Sequence, residues 1–319
     1  MLQTTDLDFH QFARDFSARA ITDPGAAIAS WQATTRTLPT DLRNALGRTV
    51  NAKLDDRARA ALRGSAGGLA LVFEWAIDKL MPPTMPQLPF FSPRLGYSYC
   101  ASLVEERSNA TARRALDRGL PLLVGLRKPT STLANKGRGA YDDYIAVLNG
   151  RGGSRSARFF PACTEPGAQY SARAATHVNA KGKSTVVDAR YASVRFKKNE
   201  GADVNGDGIA ELGRLIEGTY VFAEKTGGFL GNRAFMATAN QTVERDTDGD
   251  GFFDRNDAKR IDSKTAGRTL YIHRGGNDNA ADVNTWSAGC QTIPGNRYND
   301  FLATVGHPAS FCYVLINAR

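Results

Sequence analysis

The chain has 319 residues, of which 42% are hydrophobic and 23% charged, values that are ordinary for a globular protein and argue against disorder. Its formal net charge of +9 predicts attraction to an acidic partner. The basic residues are scattered and no nucleic-acid-binding motif occurs, so the acidic bacterial envelope is favoured over nucleic acid as that partner.

The first hundred residues have helical patterns. Helices are expected after Asp6 and Thr40, and another over 66–80 that stops at Pro82. The amphipathic, acidic start lacks the basic and then apolar pattern of a Sec signal. The most apolar stretch, 67–81, is too short and too charged to span a bilayer, so a buried helix is preferred over membrane insertion. We therefore expect neither a Sec signal nor a transmembrane segment.

A proline-rich stretch begins at Met81, and one further helix is expected over 102–117. After about Leu120 the chain consists of short β-branched and aromatic runs, punctuated by Gly, Asn and Asp. This pattern is typical of a sandwich or barrel-like β domain. The expected fold class is α+β, with a helical region over 1–100, which would serve docking or delivery, and a β-rich domain over 101–319.

Four cysteines occur without a CxxC pair, which argues against a zinc ribbon or a thioredoxin motif. Four cysteines in a chain of this length do not make a disulfide scaffold, although Cys100 and Cys163 remain a candidate bridge. Cys312, inside an apolar run, is expected in the core. The chemistry of the chain therefore points to Cys290.

His273 is the penultimate residue of the strand-like run RTLYIHR and lies 17 positions before Cys290, which ends the block Ser287-Ala288-Gly289-Cys290. Only a thiolate attacks well, and a neighbouring imidazole can take the thiol proton and return it to a leaving amine. Gly289 allows close backbone approach, and N–H groups around it would hold a developing oxyanion. The alternative is a buried cysteine in a glycine-rich turn beside a core histidine.

The His-x-Gly-Gly and Ser-x-Gly-Cys blocks, separated by a polar loop, resemble the YkuD-type L,D-transpeptidase signature. The sequence departs from it at Arg274, which precedes the glycines, and at Ala288, where the family has His or Arg. The resemblance covers about 25 residues and implies Cys290 as nucleophile, His273 as base, and Ser287 and Gly289 as support.

The resemblance also implies a reaction. The thiol would attack the L,D bond before the terminal D-Ala of a peptidoglycan stem peptide and form a thioester. An amine or water would resolve the thioester, giving transpeptidase or carboxypeptidase activity. Four further residues of the catalytic region are expected to contact substrate, namely Arg274, Asn284, Trp286 and Gln291.

Two stretches carry acidic residues at alternating positions. Loop B (246–257) places Asp246, Asp248, Asp250, Asp254 and Asp257 at EF-hand-like ligand positions, and loop A (203–211) places Asp203, Asn205, Asp207 and Glu211 similarly. Arg214 at the twelfth position of loop A cannot bind a cation, so this loop is the weaker candidate, or a turn held by Asx hydrogen bonds. We expect structural Ca²⁺, with no cofactor in catalysis.

The expected substrate lies in the periplasm or cell wall. Without a Sec signal, non-Sec export as an antibacterial effector, with a secretion apparatus and an immunity protein as partners, is one hypothesis. Release at lysis from a phage is another. The rival functions are a cysteine peptidase or amidase that cleaves other cell-wall bonds, and a calcium-stabilised wall-binding module in which Cys290 is inert.

Overall fold

The computed structural model describes residues 83–90, 92–254, 256–279 and 283–318. The expected N-terminal helices lie outside the described residues. Thr84–Arg319 forms one compact unit, a mixed α and β structure that is rich in strands. None of the described helices is both long enough and apolar enough to cross a membrane.

Two helices open this unit. Helix α1 (Pro93–Arg107) begins at Ser92, whose side chain accepts the Leu95 N–H, with proline at the first helical position. Helix α2 (Ala110–Asp117) begins at Asn109, whose side chain accepts two backbone N–H groups. The single helix predicted over 102–117 is thus divided by the extended Ser108 and the cap at Asn109, and α1 crosses the domain boundary predicted at residue 100.

The strands form one large sheet and two small ones. Eight strands are ordered β12-β11-β8-β7-β13-β1-β2-β3 in the large sheet, three are ordered β10-β9-β6, and β4 pairs with β5. The strands are β1 (Leu122–Arg127), β2 (Asp143–Asn149), β3 (Ser156–Ala162), β4 (Thr176–Val178), β5 (Ser184–Val186), β6 (Gly213–Leu215), β7 (Gly218–Glu224), β8 (Phe235–Ala237), β9 (Val243–Arg245), β10 (Ile261–Asp262), β11 (Ile272–Arg274), β12 (Gln291–Ile293) and β13 (Phe311–Asn317). The remaining short elements are the helical turn α3 (Ala134–Gly137), helix α4 (Tyr298–Val305) and 3-10 turns at Gly152–Ser154, Ala168–Tyr170, Ala172–Ala174 and Ala189–Tyr191.

The large sheet is nearly closed. Cys163, directly after β3, exchanges backbone hydrogen bonds of 2.9 and 2.8 Å with Thr292 in β12. The two ends of the strand order therefore meet, which gives the barrel-like form expected from the short, regularly interrupted strands.

The sheet is buried on both faces. Leu123 belongs to an inner core that also contains residues of α4, whereas Leu122, Val124 and Leu126 pack with α1 and α2 in an outer core on the opposite, outer face of the sheet. Successive strand residues point to opposite faces, so β1, which lies between two cores, is apolar up to Arg127 at its end. The candidate nucleophile lies at one end of this sheet.

Candidate active site

His273 lies in β11, and Cys290 directly precedes β12, the neighbouring parallel strand. Strand β11 pairs with β12 so that His273 is opposite Thr292, two residues after Cys290. Ile272 and Ile293 face the inner core, and alternation places His273 and Thr292 on the outer face. Continued to the residue before β12, the same alternation puts Cys290 on that face, where the Gln291 N–H still donates to the Tyr271 carbonyl. The loop thus brings Cys290 to the start of the strand that pairs with the strand of His273.

The imidazole has a defined hydrogen-bonding state. Nδ1 of His273 lies 2.7 Å from the Arg274 carbonyl oxygen, and because a carbonyl can only accept, Nδ1 carries the proton. Nε2 is buried and has no hydrogen-bond partner among the described residues. Burial lowers the pKa of His273 to about 4, so at neutral pH Nε2 presents a free lone pair, the form required of a general base.

The thiol is held by backbone groups. Sγ of Cys290 accepts the Tyr271 N–H at 3.4 Å and lies 3.8 Å from the Thr269 carbonyl oxygen. The residue is 9% exposed. Burial raises the pKa of the thiol to about 11, while the Tyr271 N–H opposes this rise. The resting groups are therefore a neutral thiol and a neutral imidazole, and the two side chains do not hydrogen bond to each other.

Ser287 organises the turn that carries Cys290. Its fully buried hydroxyl donates to the Cys290 carbonyl at 2.7 Å and accepts the Gly289 N–H at 3.1 Å. Gly289 has a φ of +120°, and a Cβ there would collide with the Gly213 carbonyl. Both residues shape the turn, but the Gly289 N–H is already engaged, so we correct the expectation that it would hold an oxyanion.

The expected substrate contacts divide into two groups. The Arg274 guanidinium lies 5.6 Å above the Trp286 ring. Asn284 accepts the Trp286 N–H at 3.0 Å and exchanges hydrogen bonds with the Gln169 side chain. These three residues form one partly exposed surface. Trp286 has a φ of +58°, which is uncommon for an aromatic residue and marks strain at this surface.

Gln291 lies elsewhere. It is fully buried, donates to the Gly289 carbonyl at 3.1 Å and accepts the Tyr313 hydroxyl at 2.9 Å. Tyr313 belongs to the inner core, so Gln291 points away from the face of Cys290. The expected substrate contact at Gln291 is therefore corrected to a structural role.

Several neighbours of Cys290 and His273 were not predicted from the sequence. Thr292 is opposite His273 in the ladder between β11 and β12. The Phe229 ring packs on His273 with centroids 4.7 Å apart. Lys198 and Glu200 lie close enough for their charges to influence the Cys290 thiol. Strand alternation from Cys290 would have found Thr292, whereas the other three depend on tertiary contacts.

The remaining cysteines are buried and free. The candidate bridge between Cys100 and Cys163 does not form, and Cys100 packs in the outer core with Cys312. A groove of about 420 Å³, lined partly by Glu217, Tyr220 and Asn240, contains none of the predicted site residues. It therefore does not provide access to Cys290.

In loop B, the carboxylate oxygens of Asp246, Asp248 and Asp250 lie within 4.8 Å of one another. Burial and the carboxylates of Asp257, Asp250 and Asp248 raise the pKa of Asp246 to about 7. Asp257 stands outside this group and accepts the N–H groups of Thr247 and Asp254 at 2.6 and 2.8 Å. Asp254 also stands outside it and accepts the Asn256 N–H. The last two predicted ligands thus close the loop rather than join the cluster.

In loop A, Asp203, Asp207 and Glu211 form a similar group within 4.8 Å. Asn205 braces it by accepting the Asp207 N–H at 2.9 Å. Arg214 lies in buried ion pairs with Glu165 and Glu244, at 2.6 and 2.8 Å. Its guanidinium therefore belongs to a separate network.

Comparison with protein-family models, curated proteins and solved structures gives no match. The resemblance to L,D-transpeptidases therefore depends on the residues of the chain itself, and the family stays a proposal.

Proposed function

We propose that the chain is a cysteine acyltransferase of the L,D-transpeptidase type, acting on peptidoglycan stem peptides. The observation that carries the proposal is the state of His273, whose Nδ1 is fixed by a carbonyl and whose buried Nε2 has no partner on the face of Cys290. The Ser287-Ala288-Gly289-Cys290 block supports the substrate class. The charge of +9 suits an acidic wall polymer.

The first half-reaction needs a small movement of the thiol. Adjacent strands about 4.8 Å apart, with a rise of about 3.3 Å per residue, put Cys290 and His273 roughly 8 Å apart along the diagonal between Cα atoms. Rotation of the Cys290 side chain away from the Thr269 carbonyl would turn Sγ toward Nε2. Nε2 then takes the thiol proton as the sulfur attacks the carbonyl carbon of the L,D bond, and the carbonyl electron pair moves onto oxygen.

Collapse of the tetrahedral intermediate completes the first half-reaction, and the second half-reaction then restores the enzyme. The tetrahedral intermediate reforms its carbonyl, the C–N bond breaks, and the imidazolium gives its proton to the departing D-Ala amine. An acceptor amine or water then loses a proton to Nε2 and attacks the thioester, and the C–S bond breaks. The sulfur recovers the proton from the imidazolium. Amine acceptance gives a cross-link or exchange, and water gives carboxypeptidase activity.

The surface formed by Arg274, Trp286 and Asn284 is proposed to orient the substrate. A guanidinium offers two parallel donors to a carboxylate, and stacking on Trp286 limits its freedom. We assign Arg274 to the terminal D-Ala carboxylate of the stem peptide. Asn284, already paired with Gln169, would position Trp286 rather than touch the reacting bond.

Purified muropeptides provide the direct test. We expect the wild-type chain to remove or exchange the terminal D-Ala, and Cys290→Ala to lower turnover by about 10³-fold or more, because the attacking atom is gone. Mass spectrometry of the products identifies the bond. Cys312→Ala, which changes a buried thiol in the outer core, is the matched control and should retain activity.

Cleavage between other stem residues would favour the cysteine peptidase or amidase instead. A mass adduct of a carbapenem on Cys290 would add support, because L,D-transpeptidases are a carbapenem-sensitive class. Unchanged turnover in Cys290→Ala would contradict the proposal.

One observation favours a second candidate, the wall-binding module with an inert thiol. The sulfur is largely buried and already engaged by backbone groups. Alkylation by iodoacetamide, mapped by peptide mass spectrometry, separates the two candidates. A catalytic thiol should react faster than Cys100, Cys163 and Cys312, and His273→Gln should slow it. An inert thiol should react no faster than the other three in the folded protein.

A further inference from the structure

We infer that loops A and B form a pair of adjacent Ca²⁺ sites that brace strand β6, which packs against the turn that carries Cys290. Each loop brings three carboxylates within 4.8 Å, namely Asp203, Asp207 and Glu211 in loop A, and Asp246, Asp248 and Asp250 in loop B. Convergence of acidic groups alone is common on protein surfaces. Here a second, independent observation points to a ligand in both loops.

Each cluster contains a buried carboxylate oxygen without a partner. Asp246 is 3% exposed, and its Oδ2 accepts the Gly251 N–H while Oδ1 has no hydrogen-bond partner among the described residues. Glu211 is 1% exposed, and its Oε2 accepts the Val204 N–H while Oε1 is likewise without a partner. A buried, unpaired carboxylate oxygen is costly. A cation bound among the three carboxylates of each loop would remove that cost.

The two sites are neighbours across one β ladder. Strands β6 and β9 pair antiparallel, with Gly213 opposite Arg245. Loop A leads into β6 and loop B leaves β9, so the Asp246 N–H reaches the Leu212 carbonyl at 3.4 Å. One nitrogen of the Arg173 guanidinium contacts both loops, at 2.8 Å to the Thr247 carbonyl and 3.8 Å to Asp207. Binding in one loop should therefore order the other.

The donor set selects the metal. All six converging side chains are carboxylates, and hard oxygen ligands suit Ca²⁺ or Mg²⁺ rather than zinc or copper. Mg²⁺ demands near-ideal octahedral geometry, whereas Ca²⁺ accepts irregular coordination from flexible loops. Asp-x-Asp-x-Asp-Gly spacing in loop B also matches the start of a calcium loop. We therefore commit to Ca²⁺.

The strand that follows loop A packs against the turn that carries the candidate nucleophile. Gly213, which follows loop A by two residues, packs against Gly289 so closely that a Cβ at Gly289 would strike its carbonyl. Glu211 bridges Ala202 through two backbone hydrogen bonds, and Ala202 continues from Lys198 and Glu200 beside the thiol. The link to catalysis depends on the proposed function, whereas cation binding does not.

The experiment is calorimetric titration of the full chain with CaCl₂ after treatment with EGTA and dialysis. We expect two Ca²⁺ ions per chain, with Kd values between about 10⁻⁵ and 10⁻³ M, and weaker binding of MgCl₂. Asp248→Asn and Asp207→Asn change exposed ligands, one in each loop, so both variants should fold. Each should lose one site or weaken it at least tenfold. Asp300→Asn, which removes an exposed partner of Arg158, is the matched control.

Absence of calcium heat together with an unchanged Tm would overturn the inference, as would variants that bind like the wild type. The brace has its own readout, the iodoacetamide rate at Cys290. We expect this rate to rise at least threefold in EGTA compared with saturating CaCl₂, and an unchanged rate would overturn the bracing. Normal calcium binding with no turnover of muropeptides would contradict the proposed function alone.

Discussion

The face of Cys290 and the acidic loops differ in how their groups are brought together. In loop B, Asp246, Asp248 and Asp250 converge within five consecutive residues. On the Cys290 face, the imidazole comes from β11, the thiol comes from the turn before β12, and the covering Phe229 comes from the segment between β7 and β8. A local motif keeps its geometry wherever it folds, whereas the thiol–imidazole face exists only in one strand register.

Both regions leave a buried polar atom unpartnered, but the two atoms need different things. Asp246 and Glu211 each have a carboxylate oxygen without a partner among the described residues, and the other carboxylates nearby favour binding of a cation. His273 presents a basic nitrogen without a hydrogen-bond partner among the described residues, which is able to accept a proton. Substitutions that affect one region and spare the other test this division.

The largest expected effect is that of His273→Gln. Loss of the base should lower kcat/KM by about 10²- to 10⁴-fold, while the calcium stoichiometry stays at the wild-type value. His307→Gln, at an exposed position, is the control and should keep full activity. An equal loss of calcium binding in His273→Gln would show that the two regions are not separable.

The pH profile sharpens the same point. Neutral His273 is the active base and its pKa is lowered to about 4 by burial, so activity should rise as pH rises through about 4. The unfolded chain titrates near 6.5, so the folded state is fully stable above that pH with respect to this group. It loses stability as pH falls from about 6.5 to about 4, because the unfolded chain binds the proton first. An acid limb near 6.5 would contradict the buried, neutral imidazole.

The sequence predicted the residues that converge in the acidic loops better than it predicted the surroundings of Cys290 and His273. The spacing of Asp246, Asp248 and Asp250 was sufficient to place three converging carboxylates, because alternate residues of a tight turn share one side. It was insufficient for Asp257, whose oxygens accept backbone N–H groups that only the closed loop presents.

For the candidate active site, the sequence singled out Cys290 and His273 from their blocks, and Ser287 as support, and their catalytic roles stay predictions. It misplaced Gln291 and supplied no sign of Phe229, since both depend on the side of the strand and on packing across the sheet. The β-rich character of the chain after Leu120 was readable from short runs. The closure between Cys163 and Thr292 was not, because it joins segments 129 positions apart.

An intermediate effect is expected for Ser287→Ala. The change leaves the Gly289 N–H and the Cys290 carbonyl without the hydroxyl that joins them, and a buried unsatisfied group costs about 1–3 kcal/mol. Denaturant unfolding measures this loss, and we expect turnover to fall about tenfold because the Gly289–Cys290 turn loosens.

Ser108→Ala is the control for this prediction. It removes another buried hydroxyl, which donates to the Val104 carbonyl. It should cost stability without changing the alkylation rate of Cys290. Equal turnover in the two variants would reduce Ser287 to a general packing role.

The smallest expected effect is that of Phe229→Ala. Its ring lies 4.7 Å from the His273 ring and 5.1 Å from the Tyr271 ring, so removing it admits water to the imidazole. Because burial is the main cause of the lowered pKa, hydration should raise the pKa of His273 toward 6.5, which NMR titration of the ring measures. Activity at neutral pH should change little, while the acid limb moves upward with the pKa. Leu230→Ala, at a neighbouring side chain that is 63% exposed, should leave the titration unchanged. If the pKa stays near 4 in Phe229→Ala, the sheet itself excludes water, and the hairpin between β7 and β8 has no part in setting the base.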